Sequence, residues 1–238
     1  GSGRSYNVAS GIRWAADNGA KVINLSIRSI YPSTEIRDAL EYAYNHNVTV
    51  VAAAGNSYLD GNPTIYPAAY DDFCIAVGAT RPDRTRSYYS STGSYLDVVA
   101  PGGDTRYDLN GDGLVDGILQ ETFTNLGVWS SFTIQNWEGT SCASPHVAAI
   151  AGMLYSLGVD NPDRVREAIE KTARDLGPAG WDQAYGWGLV DAGAALRYYS
   201  SRGDLNGDGA VDYTDLWIIC SHWLENYPAV DVAPVGGD

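Results

Sequence analysis

Residues 139–146 read Gly-Thr-Ser-Cys-Ala-Ser-Pro-His and run straight into an almost wholly apolar stretch, Val147 to Leu157. The arrangement puts the hydroxyl of Ser141 at the mouth of a buried helix. A helix start presents unbonded N–H groups and the positive end of the peptide dipoles, which favour an anion forming beside them. Acyl transfer develops such an anion, because its tetrahedral intermediate carries an oxyanion. Taken alone, Gly-Thr-Ser is also an ordinary helix cap. A hydroxyl nucleophile needs a base, and the base needs an orienting carboxylate. The chain has three histidines, His46, His146 and His222. His146 lies five residues beyond Ser141 on the same helix, and five steps of about 100° carry it roughly 140° round the axis, away from Ser141. His46 ends a helical segment in Tyr-Asn-His-Asn, and His222 belongs to the tail.

Two Asp-rich loops have the spacing calcium takes from an EF-hand. In the first, Asp108, Asn110, Asp112 and Asp116 fall at loop positions 1, 3, 5 and 9, the carbonyl of Leu114 at position 7, and Gly113 at the sharp turn. Position 12 is Leu119, so the closing carboxylate is absent; Asp104 or Glu121 is its candidate substitute. The second loop is fuller: Asp204, Asn206, Asp208, Ala210, Asp212 and Asp215 occupy positions 1, 3, 5, 7, 9 and 12, with Gly209 at the turn. A helix with Leu216, Ile219, Trp223 and Leu224 on one face follows it. Both loops also read as solvated Asn/Asp/Gly turns.

The elements that must position these groups alternate. Val8 to Asn18 is helical, Lys21 to Ile27 a strand, and Ser33 or Thr34 caps a helix with Ile36, Ala39, Leu40 and Ala43 on one face. Val48 to Ala54 is a continuous apolar strand, and Cys74 to Ala79 and Leu96 to Ala100 are shorter ones. Helices follow from Asn161-Pro162-Asp163 to about Thr172, and from Ala192 to Tyr199. Apolar strands separated by helices predict an α/β fold, a parallel sheet sandwiched by helices, with ligands at the carboxyl ends of the strands. The composition changes at Ser200-Ser201-Arg202-Gly203, which sets a boundary between residues 1–201 and a small EF-hand-like loop–helix module over 202–238.

The octapeptide around Ser141 resembles the nucleophile motif of the subtilisin-like serine proteases, the subtilases. There the serine after Gly-Thr is catalytic and Pro-His opens the helix; Cys142 stands where many relatives have methionine. Ala52-Ala53-Ala54-Gly55-Asn56 is similar to the segment whose asparagine donates to the oxyanion. Without the resemblance, Asn56 reads as a turn residue closing a strand. The resemblance further implies that substrate backbone lies along Ser26-Ile27-Arg28-Ser29 and Ala53-Ala54-Gly55. Arg28 departs from the family, which usually has glycine there. It either narrows the pocket, brings positive charge to an acidic substrate residue, or is a solvated arginine at a strand end.

None of the three histidines has the Gly-Thr-His context of the family's base, and no Asp-Thr/Ser-Gly carries its carboxylate. Residues 1–15 resemble the region following that histidine. The expectation is a subtilase catalytic domain without its N-terminal part, inactive as it stands, with the resemblance covering residues 1 to about 200. The 204–215 loop resembles a dockerin-type repeat, which implies a cohesin-like or cell-surface partner. The reading is a secreted, calcium-binding serine endopeptidase acting on proteins or peptides through Ser141. The alternative is an inactive pseudoprotease scaffold that docks through its tail.

A net charge of −14 over 238 residues argues against nucleic acid and anionic membranes as partners. No run reaches membrane-spanning length, and no signal peptide is visible. Cys74, Cys142 and Cys220 form no metal spacing or disulfide framework.

Overall fold

The computed structural model describes residues 3–123 and 131–199, together with Tyr213, Thr214 and Trp217. Four parallel strands form the central sheet in the order β1 (Val22–Leu25), β2 (Thr49–Ala53), β3 (Cys74–Thr80), β4 (Val98–Pro101). Val22 pairs with Thr49, Val50 with Cys74 and Val77 with Val98.

Strand periodicity divides the apolar side chains between two cores. Val50, Ala52, Cys74 and Ala76 pack against Ile12 of helix α1 (Ser5–Asp17) and Leu40 of α2 (Thr34–Asn45). Their neighbours Val51, Ile75, Val77 and Ala79 face the other way. They meet Val147 and Leu154 of α3 (Thr140–Ser156), Ile169 of α4 (Pro162–Thr172) and Ala195 of α5 (Ala192–Arg197). With both faces covered, β2 and β3 are buried along their whole length, so their sequence reads as an unbroken apolar run. The expected α/β sandwich is therefore present.

Helix starts follow their caps. Ser33 Oγ accepts from the Ile36 amide at 3.3 Å, Asn161 Oδ1 from Arg164 at 3.0 Å with Pro162 in the first turn, and Asp191 Oδ1 from Ala194 at 3.0 Å. Strands β1, β2 and β4 are three, two and one residues shorter than their apolar runs, and β3 runs one residue further, to Thr80. One element is new. Strands β5 (Ile118–Phe123) and β6 (Phe132–Trp137) form an antiparallel hairpin between the first Asp-rich loop and α3. Apart from Tyr213, Thr214 and Trp217, the 202–238 module lies outside the described residues, as do its boundary and its ligand candidates Asp204, Asn206, Asp208, Ala210, Asp212 and Asp215.

Candidate active site

Parallel pairing brings the carboxyl ends of β1 and β2 to one edge of the sheet, and α3 begins over that edge. Ser141 is the second residue of α3, exposed at its N-terminus. Gly139 caps the helix at φ 148°, and a Cβ there would stand 3.1 Å from Asn56 Nδ2. Glycine thus lets the end of β2 close onto the helix start. The buried hydroxyl of Tyr89 accepts from the Gly139 amide and bonds the carbonyls of Gly102 and Gly103, each at 2.8 Å. Burial pushes the Tyr89 pKa well up, so this hydroxyl stays neutral and keeps its proton.

Asn56 follows β2, with Gly55 in the left-handed region at φ 105°. Its Oδ1 accepts from both the amide and the hydroxyl of Thr140, at 2.9 and 2.8 Å. Thr140 Oγ1 in turn accepts from the Gly55 amide at 3.1 Å. An amide N–H can only donate, so this pattern assigns Oδ1 to Thr140 and leaves Nδ2 as the donor beside Gly139 and the Ser141 turn. The expected oxyanion donor and nucleophile are brought together.

On the other side Ser26 Oγ donates to the carbonyl of Ser141 at 2.9 Å and accepts from Asn24 Nδ2 at 2.9 Å. Asn24 Oδ1 takes the Ser144 hydroxyl at 2.6 Å. The 26–29 segment is held to Tyr66 by two backbone hydrogen bonds of 2.8 Å between Ser29 and Tyr66, just before the cis Tyr66–Pro67 bond. Ser26, Ile27, Arg28, Ala53, Gly55, Asn56 and Ser141 all line one cleft of about 920 Å³. Ala54 is wholly buried behind it. Arg28 Nη1 donates to Ser57 Oγ at 2.8 Å.

Neither described histidine is hydrogen-bonded to Ser141. His146 donates through Nδ1 to the Cys142 carbonyl at 2.8 Å, in the first turns of its own helix, as the helical geometry requires. His46 donates to the Tyr42 carbonyl at 2.7 Å and stacks on the Tyr42 ring. Cys74 and Cys142 are free, and burial raises the pKa of both, so neither is an activated thiol.

The first Asp-rich loop is curled on its own backbone. Asp108 accepts from the amides of Gly111, Asp112 and Gly113, Asp112 from Leu114, and Asp116 from Leu109. Gly111 and Gly113 take positive φ, as the turn demands. Asp104, a candidate for the missing position, is instead held bidentately by Arg106 at 2.9 and 2.8 Å. Among the described residues no three His, Cys, Asp or Glu side chains gather as a metal-binding group.

Three supporting residues were not anticipated: Thr140, Ser57 and Tyr89. Thr140 sits inside the motif, but its bond to Asn56 spans 84 residues, and local pattern gives no sign of it.

The Subtilase family model matches residues 1–188. Subtilisin DY of Bacillus licheniformis is 37% identical over 203 residues, covering 83% of this chain and 64% of that protein. Thermitase of Thermoactinomyces vulgaris is 37% identical, covering 83% and 62%. Among solved structures, a protease from Pseudoalteromonas arctica superposes with a TM-score of 0.71 at 29% identity, covering 83% of this chain and 60% of the other. A lanthipeptide protease superposes with a TM-score of 0.67 at 28% identity, covering 82% and 68%. The chain thus spans 64% and 62% of the length of these two curated relatives, and under half of some others. With the match extending over most of its residues and the strand ends, cleft and helix start assembled as above, this chain belongs to the subtilase family.

Proposed function

We propose that the chain carries the nucleophile side of a serine endopeptidase site. Ser141 Oγ attacks the scissile carbonyl as a base takes its proton, and the oxygen that becomes negative is met by Asn56 Nδ2 and the amides at the start of α3. Collapse of the intermediate expels the amine, protonated by the same base, and leaves an acyl-enzyme on Ser141 that water hydrolyses. The supporting observation is the Asn56–Thr140 clamp, which aims an amide donor at the Ser141 turn. A cap on a core helix has no use for it.

Neither described histidine is bonded to Ser141, and His222 lies outside the described residues; in this reading the base and its orienting carboxylate come from polypeptide upstream. Residues 1–238 alone should neither hydrolyse casein nor label at Ser141 with a fluorophosphonate. A polypeptide extended upstream should do both, and normal labelling of the short chain overturns this assignment of the base. The absence of a base within reach among the described residues also favours a second reading, a scaffold that docks through its 202–238 tail. Upstream sequence without an Asp and a His-containing motif would decide for it.

Family likeness and calcium-type spacing support an extracellular protein acting on protein or peptide substrates. In the same reading calcium binds at 108–116. Carboxylates that accept an amide N–H keep lone pairs for a cation, but Asp108, Asn110, Asp112, Asp116 and the Leu114 carbonyl must draw together to ligate one. The 204–215 loop is the second calcium candidate, with a cohesin-like protein as partner. Calorimetric titration with calcium tests both loops, and Asp108→Ala and Asp204→Ala separate their heats. Among the described residues no helix is long and apolar enough to cross a membrane.

A further inference from the structure

The cleft beside Ser141 contains one charged residue in a chain whose net charge is −14. Its lining is otherwise neutral (small, aliphatic, hydroxylic or aromatic side chains and the Asn56 carboxamide), and the charged residue is Arg28. Several other arginines meet carboxylates (Arg81 with Asp83, Arg106 with Asp104, Arg166 with Asp97 and Arg174 with Asp191), whereas Arg13 and Arg86 lie over the rings of Tyr42 and Tyr58, away from the cleft. No carboxylate pairs with Arg28 among the described residues. Its guanidinium spends one of five N–H donors on Ser57 Oγ. Ser57 is itself buried and fixed through its amide to Ser91 Oγ at 3.1 Å. Ser57 adjoins Asn56, so the positive charge is tied next to the residue that carries the oxyanion donor.

Arg28 is exposed to solvent, but three properties hold its guanidinium at the cleft wall. The 26–29 segment is locked by its bridge to Tyr66, which fixes where the Arg28 side chain starts. The hydrogen bond to Ser57 fixes where it ends. The cleft measures about 920 Å³ with Arg28 in place, so the side chain borders the space without filling it. A planar guanidinium with free donors at the wall of such a space matches a carboxylate in shape and charge.

We propose that Arg28 makes this cleft selective for an acidic side chain, aspartate or glutamate, of the polypeptide lying in it. The proposal rests on the serine peptidase reading of the same site and supplies its substrate class.

Binding separates the two claims, because it requires no base. Fluorescent hexapeptides identical except for one central residue (Asp, Glu, Asn, Gln, Phe or Lys) are titrated into residues 1–238 and followed by anisotropy. The acidic peptides should bind at least about tenfold tighter than their Asn and Gln isosteres, the worth of one charge-assisted pair. The preference should fade with added salt, vanish in Arg28→Met and be partly retained in Arg28→Lys. Circular dichroism confirms that the variants are folded. Equal binding of Asp and Asn peptides, a preference surviving Arg28→Met, or no binding of the acidic peptides at millimolar concentration would each overturn it. Acidic preference without Ser141 labelling in the upstream-extended polypeptide would instead sink the peptidase reading and leave an acid-selective cleft.

Discussion

The Ser26 hydroxyl donates to the carbonyl of Ser141 at 2.9 Å, at the point where Pro145 leaves that carbonyl without its usual helical partner. In an α-helix the carbonyl of residue 141 would accept from the amide of residue 145, but proline has no N–H. The end of β1 supplies the donor instead, so the strand carrying one substrate segment is tied to the backbone of the nucleophile. Ser26→Ala should lower unfolding free energy by about 0.5–1.5 kcal/mol, and Ser26→Thr, which keeps the hydroxyl, by less. Urea denaturation reads the difference. An alanine variant with an unchanged midpoint would show the bond contributes nothing to the fold.

Thr140 and Asn56 give a sharper separation of stability from chemistry. Thr140→Val keeps the shape but removes a hydroxyl that is 1% exposed and serves both the Gly55 amide and Asn56 Oδ1. Stability should fall by about 1–3 kcal/mol, the cost of buried groups left unpaired. Asn56→Ala removes the same acceptor but opens the Thr140 amide and hydroxyl to cleft water, which can replace it, so its thermal midpoint should move less. In the upstream-extended polypeptide it should cut Ser141-dependent turnover by about 10²–10³-fold. Equal activity in Asn56→Ala and the parent would remove Asn56 from the oxyanion site.

The two kinds of partner explain what could be read beforehand. α2, α4 and α5 carry capping side chains three residues before the amides that donate to them, and β2 and β3 are buried throughout because both faces are covered, so local pattern is enough. Ser141 and Asn56 stand in short motifs for the same reason. The Ser57 partner of Arg28 and the Tyr89 hold on Gly139 join residues 29 and 50 apart, which only the assembled sheet brings together. The β5–β6 hairpin escaped because most of its side chains are exposed to some degree, so no clean alternation of apolar and polar residues marks it. Asp104 is held bidentately by Arg106, two residues on, a pairing that loop-position spacing alone does not mark.

Gly55 tests how tightly the cleft wall is built. A Cβ at this position would come 2.6 Å from Ile65 Cγ1, and φ is 105°, where side chains are strained in any case. Gly55→Ala should destabilise by about 1–3 kcal/mol or more. Ile65→Ala removes the steric half of that penalty while opening a cavity. The double variant should therefore lose less stability than the two single losses added together. Strict additivity would mean that the backbone conformation alone is responsible.

Asp104 gives the site an acid limit. Its carboxyl is fully buried, and burial alone would push its pKa up, but the hydrogen bonds and charge of Arg106 outweigh that and hold it below the usual value. A depressed folded pKa contributes stability that is present above the unfolded value, about 3.9, and is lost as pH falls through the folded one. Parent and Asp104→Asn should therefore differ by a constant amount between about pH 6 and 8, with the gap closing below about pH 4. The position links this to function. Arg106 also lies over the Tyr88 ring, 3.4 Å from its centroid, and Tyr88 donates to Glu138 at 2.7 Å, immediately before Gly139 and the Ser141 helix. Protonating Asp104 loosens the arginine that braces this approach to the nucleophile. Acid titration of the parent should then expose the 104–106 and 138–139 amides to hydrogen exchange before the β2 and β3 amides. Simultaneous loss of protection in both sets would show that Asp104 acts on the fold as a whole and has no special hold on the Ser141 turn.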